Sequence, residues 1–243
     1  MSVQLAIDRG NSFTKLSIFN GESILAFESC SDESLMTLFR SWMQTHRPAS
    51  IIVSDVRGDF PLSDFLAESD VPIVQLSHSL KFPFTIRYET PDTLGHDRLA
   101  NMAGAMAVRP NSNVLVIDCG TCITYSLLHE GIFIGGSIAP GVRMRYRALH
   151  EFTGKLPSVE PSRILPAIAG SSTAASIRSG VELAIVLETD AMIEAYRHAF
   201  NNLQVLITGG DYSFFENSLK STIFAVPQLT QLGLHEILRI NRS

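Results

Sequence analysis

The feature that most constrains this chain is an internal repeat. The segment Val114-Leu115-Val116-Ile117-Asp118-Cys119-Gly120-Thr121-Cys122-Ile123-Thr124-Tyr125 repeats the opening pattern of an apolar strand, an Asp-x-Gly polar turn and a second apolar strand. Asp118, Gly120 and Thr124 each stand 110 positions after Asp8, Gly10 and Thr14. Both copies run on to a second turn, Asn20-Gly21 and Glu130-Gly131, before a further strand. Copies this far apart predict a duplicated domain, since a solenoid repeats every ~20 to 50 residues. Arg109-Pro110-Asn111-Ser112-Asn113 is polar and holds a helix breaker, so the domains are predicted over 1–110 and 111–243, facing each other.

The flanking pattern reads as α/β. Val3 to Ile7, Phe13 to Phe19 and Ser23 to Phe27 are strands, the last two joined by the Asn20-Gly21 hairpin signal. Ser31 is positioned to cap a helix with Leu35, Leu38, Phe39, Trp42 and Met43 on one face. Ala49 to Val53 and Val71 to Leu76 are short runs suited to a buried sheet. A long apolar helix is predicted from Ala174 to Phe200, a candidate dimer surface.

Composition narrows the function classes. Of 243 residues, 45% are hydrophobic, which suits a packed core rather than a disordered chain. The net charge of −5 has no basic tail or patch, so neither a nucleic-acid nor a membrane partner is expected. No signal-like segment or membrane span is read, and 3 Cys cannot form a fully paired disulfide set, so a reducing cytoplasm is the expected location. Cys119-Gly120-Thr121-Cys122 spells Cys-x-x-Cys, but between two strands it lacks the context of a redox or zinc pair.

An Asp-x-Gly hairpin is either an ordinary turn or a phosphate loop. In the second case Gly admits close approach, following amides and hydroxyls donate to phosphate oxygens, and Asp organises a cation or water. Gly10, Asn11, Ser12, Thr14 and Lys15 would be the donors of the first copy. Duplication favours the second case, because two loops can clamp one nucleotide, as in the actin, sugar-kinase and Hsp70 superfamily. Thr208-Gly209-Gly210-Asp211, after the strand Gln204 to Ile207, is a small-residue turn against which adenine and ribose can lie. Between the copies, Gly95-His96-Asp97-Arg98 opens a helix of small and apolar residues. There Asp97 and Arg98 either bind a ligand at the helix N-terminus or form a plain acidic helix start with an exposed Arg. His96 reads as a solvent-exposed loop histidine beside Asp97. Gly135-Gly136 and Pro140-Gly141 permit close backbone contact, and Ser171 to Gly180 is a helix cap or a hydroxyl-lined pocket edge.

The ordered set Asp-x-Gly-Asn-Ser, Gly-x-Asp-Arg, Asp-x-Gly-Thr, Gly-Gly-x-Ile-x-Pro-Gly, Ser-Thr and Thr-Gly-Gly, over residues 8 to 210, resembles the type III pantothenate kinases. The resemblance implies two duplicated actin-like (ribonuclease H-like) domains, each a mixed sheet flanked by helices, with an interdomain cleft. It implies transfer of the ATP γ-phosphoryl group to the primary hydroxyl of pantothenate, the first step of coenzyme A biosynthesis. Asp97 is then the catalytic base. Asp8, Arg9, Gly10, Asn11, Ser12, Phe13, Thr14, Lys15 and Thr121 serve ATP, and Tyr88, Gly95, His96, Asp97, Arg98 and Thr173 serve pantothenate. Asp118 holds a monovalent cation, K⁺ or NH₄⁺, and Asp8 holds Mg²⁺ through water. A homodimer whose partner completes the pantothenate pocket is also implied. Cys122 and Ser126 depart from the family, which usually has Ala and often a second Asp there, leaving one carboxylate fewer near the cation. Another small-molecule kinase of the superfamily and a non-catalytic nucleotide-binding regulator are the alternatives.

Overall fold

A computed structural model of the protein describes residues 2–162 and 164–242. The chain forms two compact units, one of residues up to Pro110 together with those from Leu229, the other spanning Asn111–Gln228. The division at Pro110 lies in the polar stretch before the second copy, but the C-terminal segment, read from sequence as part of the second half, packs with the first.

The first unit contains β1 (Val3–Arg9), β2 (Thr14–Asn20), β3 (Ser23–Cys30), α1 (Asp32–His46), β4 (Ser50–Asp55), α2 (Leu62–Ala67), β5 (Ile73–Gln75), β6 (Thr85–Ile86) and α3 (His96–Val108). Its main sheet has the order β3-β2-β1-β4-β5, with β1, β2 and β3 antiparallel and β4 and β5 parallel to β1. Side chains alternate across a strand, so each face has its own cover. Leu5, Ile7, Leu16, Ile18, Ile51 and Val53 face Leu35, Phe39 and Trp42 of α1 and Phe65 of α2. Burying such a face contributes ~1.5 to 3 kcal/mol per large side chain before conformational entropy is set against it. Ser31 takes the N-cap position of α1 in extended conformation, although its hydroxyl makes no capping bond.

The other face belongs to α8 (Leu229–Ile240), whose His235 ring stacks on Phe19 with centroids 4.2 Å apart. Helix α8 also lies against α3, and two glycines make that crossing possible. A Cβ on Gly233 would overlap the Ala100 carbonyl, and one on Gly104 would overlap the Leu229 carbonyl. The buried Thr230 hydroxyl donates to Asn101 Oδ1 at 2.8 Å in the same seam. This intimacy explains why the last helix belongs to the first unit.

The second unit contains β7 (Asn113–Cys119), β8 (Cys122–His129), β9 (Ile132–Pro140), α4 (Val142–Glu151), α5 (Thr173–Arg178), α6 (Ala184–Ala199), β10 (Leu203–Thr208), α7 (Tyr212–Glu216) and β11 (Phe224–Ala225). Its strands run β9-β8-β7-β10-β11, the same third-second-first-fourth-fifth order as in the first unit. Leu115, Ile117, Ile123 and Tyr125 pack with Ile177, Val181, Ile185 and Ile193. The expected helix from Ala174 to Phe200 is a continuous helical run in which a π-turn, Ser179–Leu183, joins α5 to α6. It carries Glu182, whose buried carboxylate accepts from Tyr146 Oη at 2.9 Å and from the Ser162 backbone and hydroxyl. Both sheets are mixed and flanked by helices, the architecture of actin-like domains.

Candidate active site

The two Asp-x-Gly loops share letters but not register. In the first, Asp8 lies opposite Lys15 and Arg9 opposite Thr14, and Gly10 N–H closes the turn onto Phe13 O at 3.0 Å. In the second, Asp118 lies opposite Thr124, and Gly120 N–H closes onto Cys122 O at 3.0 Å. The second turn is one residue shorter. Opposed residues of an antiparallel pair share a face. Thr124 is therefore on the face of Asp118, while its counterpart Thr14 is on the face opposite Asp8.

That placement decides what Arg9 and Thr14 touch. Both are buried on the α1 side. Arg9 Nη2 donates to Asp32 Oδ2 at 2.9 Å, its Nη1 donates to Asp59 and lies 3.6 Å from Asp55, and Thr14 Oγ1 lies 3.4 Å from Asp32 Oδ1. The Arg9 hydrogen bond, and then that of Arg57 at 2.7 Å, hold the Asp32 carboxyl down to about 2. Asp8 and Lys15 occupy the α3 and α8 side, next to the exposed Asn11, Ser12 and Phe13.

In the second loop Asp211 N–H donates to Cys119 O at 2.9 Å. Gly209 has φ +96°, and a Cβ there would overlap Asp118 Oδ1 and the Cys119 carbonyl. Gly141 N–H donates to Thr121 O at 3.0 Å, and a Cβ on Gly141 would overlap Gly120 O. Gly141 and Gly209 thus pack the second loop by backbone contact. Burial, reinforced by the Asp118 and Asp211 carboxylates, pushes the Cys119 thiol well above its ordinary value, so it is no thiolate at neutral pH.

Gly95 is the N-cap of α3. A Cβ there would overlap Asp97 Oδ1, which accepts the Arg98 N–H at 2.8 Å, so glycine lets the carboxylate fold back over the helix N-terminus. Arg98 is buried rather than exposed, its guanidinium carbon 5.8 Å from the centre of the Tyr88 ring, in cation–π reach. His96 is half-buried in the first turn of α3, not on an exposed loop, and its Nδ1 donates to the Asp55 carbonyl at 3.3 Å. Tyr88, Gly95, His96, Asp97 and Arg98 all belong to the first unit. Thr173 is exposed at the start of α5 in the second, beneath a Ser172 cap whose Oγ accepts from Ala175 N–H at 3.2 Å.

Two further aspartates hold these loops, of which the motifs named Asp211 and missed Asp55. Asp55 ends β4 beside Arg9, and Asp211 follows the Gly-Gly turn. A carboxylate directly after a buried β-branched strand is the signal that marks Asp55. For a cation, the described residues include no group of three or more His, Cys, Asp or Glu. Asp118 and nearby carbonyls are hard oxygen donors, which fit an ion that takes its other ligands from phosphate and water.

The profile of a family described as type III pantothenate kinase matches residues 4–195. A type III pantothenate kinase from Cytophaga hutchinsonii is 39% identical over 241 residues, covering 98% of this chain and 100% of the relative. Another, from Christiangramia forsetii, is 38% identical over 245 residues, covering 99% and 100%. Among solved structures, a ROK family glucokinase from Streptomyces griseus in complex with glucose and AMPPNP aligns with TM-score 0.55 at 11% identity, covering 98% and 99%. A ROK hexokinase from Thermus thermophilus aligns with TM-score 0.54 at 13% identity, covering 97% and 98%. These two likenesses are of fold. With paired strand orders, an Asp-Arg helix start and this breadth of sequence match, the chain belongs to the type III pantothenate kinase family.

Proposed function

We propose that this protein phosphorylates pantothenate to 4′-phosphopantothenate at the expense of ATP, the first step of coenzyme A biosynthesis. The observation that carries the reading is a juxtaposition in the first unit. Asp8 and Lys15 lie on the sheet face covered by α3 and α8, and the α3 N-terminus bearing Asp97 and Arg98 reaches the carboxyl end of neighbouring β4 through His96 and Asp55. Ligands of open α/β sheets bind at the carboxyl ends of strands.

Phosphoryl transfer requires alignment, charge neutralisation and an acceptor for the hydroxyl proton. Asp97 takes that proton from the primary hydroxyl of pantothenate. Arg98, steadied by Tyr88, pairs with the pantothenate carboxylate or the travelling phosphoryl group, and Gly95 and His96 line the same pocket. Asn11, Ser12, Phe13 and Lys15 hold the phosphates. Gly10 shapes the turn, its own amide being bonded to Phe13 O, while Arg9 and Thr14 support the loop from behind. Asp118 and Thr121 serve ATP from the second loop, and adenine and ribose lie against the Thr208-Gly209-Gly210-Asp211 turn. Mg²⁺, held through water by Asp8, and K⁺ or NH₄⁺, held by Asp118, neutralise phosphate charge when bound. In this reading the protein works as a cytoplasmic homodimer, Thr173 completing the pantothenate pocket of the partner. Its cysteines, Cys30, Cys119 and Cys122, are free thiols.

The test is 4′-phosphopantothenate formation by the purified protein with MgATP and K⁺. Asp97→Asn is expected to lower kcat by about a thousandfold while nucleotide affinity holds. Absence of turnover in every monovalent salt overturns the reading. Turnover of a different alcohol assigns another small-molecule kinase, and nucleotide binding with no acceptor assigns a regulator.

A further inference from the structure

We propose that Arg9 and Asp55 are positioning residues that fix the first phosphate loop and the N-terminus of α3 in one geometry. The proposal rests on the kinase reading above, and its observations are independent of the resemblance.

Arg9 sits inside the phosphate loop, where a guanidinium would ordinarily be taken for a phosphate ligand. Here it points away. Its buried fork is shared among Asp32, Asp55 and Asp59, which come from the start of α1, the end of β4 and the turn beyond β4. Asp32 is in turn held by Arg57, and Arg9 O accepts Val56 N–H at 3.1 Å. Three segments are thereby fastened to the back of the loop by ion pairs.

Asp55 is the member common to both halves of the candidate site. Its carboxylate, 2% exposed, accepts Arg57 N–H at 3.1 Å and Phe60 N–H at 2.8 Å, which fixes the turn that supplies Arg57 and Asp59. Its main-chain oxygen accepts the His96 ring N–H, one residue before Asp97. One residue therefore contacts the strut of the phosphate loop on its side chain and the opening turn of α3 on its backbone. Misplacement of a reacting group by about 1 Å can lower rates a hundredfold. A rigid link between the parts that hold donor and acceptor is what such a reaction needs.

The link is tested with Arg9→Gln, Arg9→Lys and Asp55→Asn, each checked for folding by thermal melting. Positioning predicts that Arg9→Gln and Asp55→Asn raise the KM for MgATP by about fivefold and that for pantothenate by about threefold, with kcat reduced about tenfold. It also predicts no rescue by Arg9→Lys, since a point charge cannot span three carboxylates. If Arg9 is a direct phosphate ligand, Arg9→Gln raises the KM for MgATP alone, Arg9→Lys restores much of it and Asp55→Asn is silent; any such pattern overturns the proposal. Should Arg9→Gln fail to fold, Asp59→Asn, at an exposed end of the same fork, is read by the same KM-against-kcat pattern. If the wild-type protein turns over no pantothenate, the kinase reading fails and the link is judged on MgATP affinity by calorimetry. There, at least threefold weakening in Asp55→Asn supports it and unchanged affinity overturns it.

Discussion

The first and second Asp-x-Gly loops begin with the same letters and are made rigid in different ways. Behind the first loop lies a set of charges: Arg9, Arg57, Asp32, Asp55 and Asp59. Behind the second lie glycines, Gly141 and Gly209, packed so closely that neither has room for a methyl group. Charges tolerate adjustment of distance, because an ion pair weakens gradually with separation. Backbone contacts do not, because overlap rises steeply. The second loop is also one residue shorter. A duplicated motif has thus kept its end of strand and turn while its supports have diverged.

Breaking the glycine side should have the largest effect. Gly141→Ala is expected to lower stability by about 3 kcal/mol, seen in urea unfolding, since the clash is with backbone that cannot rotate away. A loss below about 0.5 kcal/mol would place the second loop among adjustable elements after all. Next come the paired aspartates. Asp118→Asn should reduce turnover by about a hundredfold and blunt its stimulation by K⁺, whereas Asp8→Asn should lose about as much while keeping the K⁺ response. Equal loss of the K⁺ response in both would make the loops functionally interchangeable.

The register difference gives a smaller, cleaner contrast. Thr14→Val, on the α1 face, should cost about 1 kcal/mol of stability and leave the KM for ATP within about twofold. Thr124→Val, on the face of Asp118, should move the KM for ATP or the cation response instead. Matching shifts would contradict the assigned faces. The smallest effect is on pH dependence. The Asp32 carboxyl titrates at about 2 in the folded chain, held down first by Arg9 and then by Arg57, so its contribution is present above its ordinary value near 4 and fades as pH falls toward 2. Asp32 is 42% exposed, so solvent screening limits this to about 0.5 kcal/mol. Asp32→Asn should differ from wild type by that amount at pH 7 and not at pH 2.

Much of this was legible in the residues. The 110-residue offset announced the duplication, and the strand order is repeated in both units. The helix of small residues begins at His96, one residue before the start expected at Asp97. What escaped reading depends on partners far along the chain. Arg9 meets Asp32 and Asp59, 23 and 50 positions away, and nothing local in Asp-Arg-Gly says which way the guanidinium turns. Thr14 and Thr124 match by counting letters, but faces are set by cross-strand opposition, which one extra turn residue reverses. Helix α8 joined the first unit through Gly104 and Gly233, a complementarity between segments more than a hundred residues apart that no single window contains.

That last crossing also bears on how the chain is made. The second unit is continuous in sequence, whereas the first awaits α8, its closing piece. During synthesis the second unit can therefore collapse as soon as it clears the ribosome, while the earlier-made sheet keeps the face of Gln4, Ala6, Ser17, Phe19 and Ile52 without α8 until residues 229–240 are made. The domain whose translation begins first is completed last, and a premature stop near residue 228 would leave the later-made half whole and the earlier-made half open.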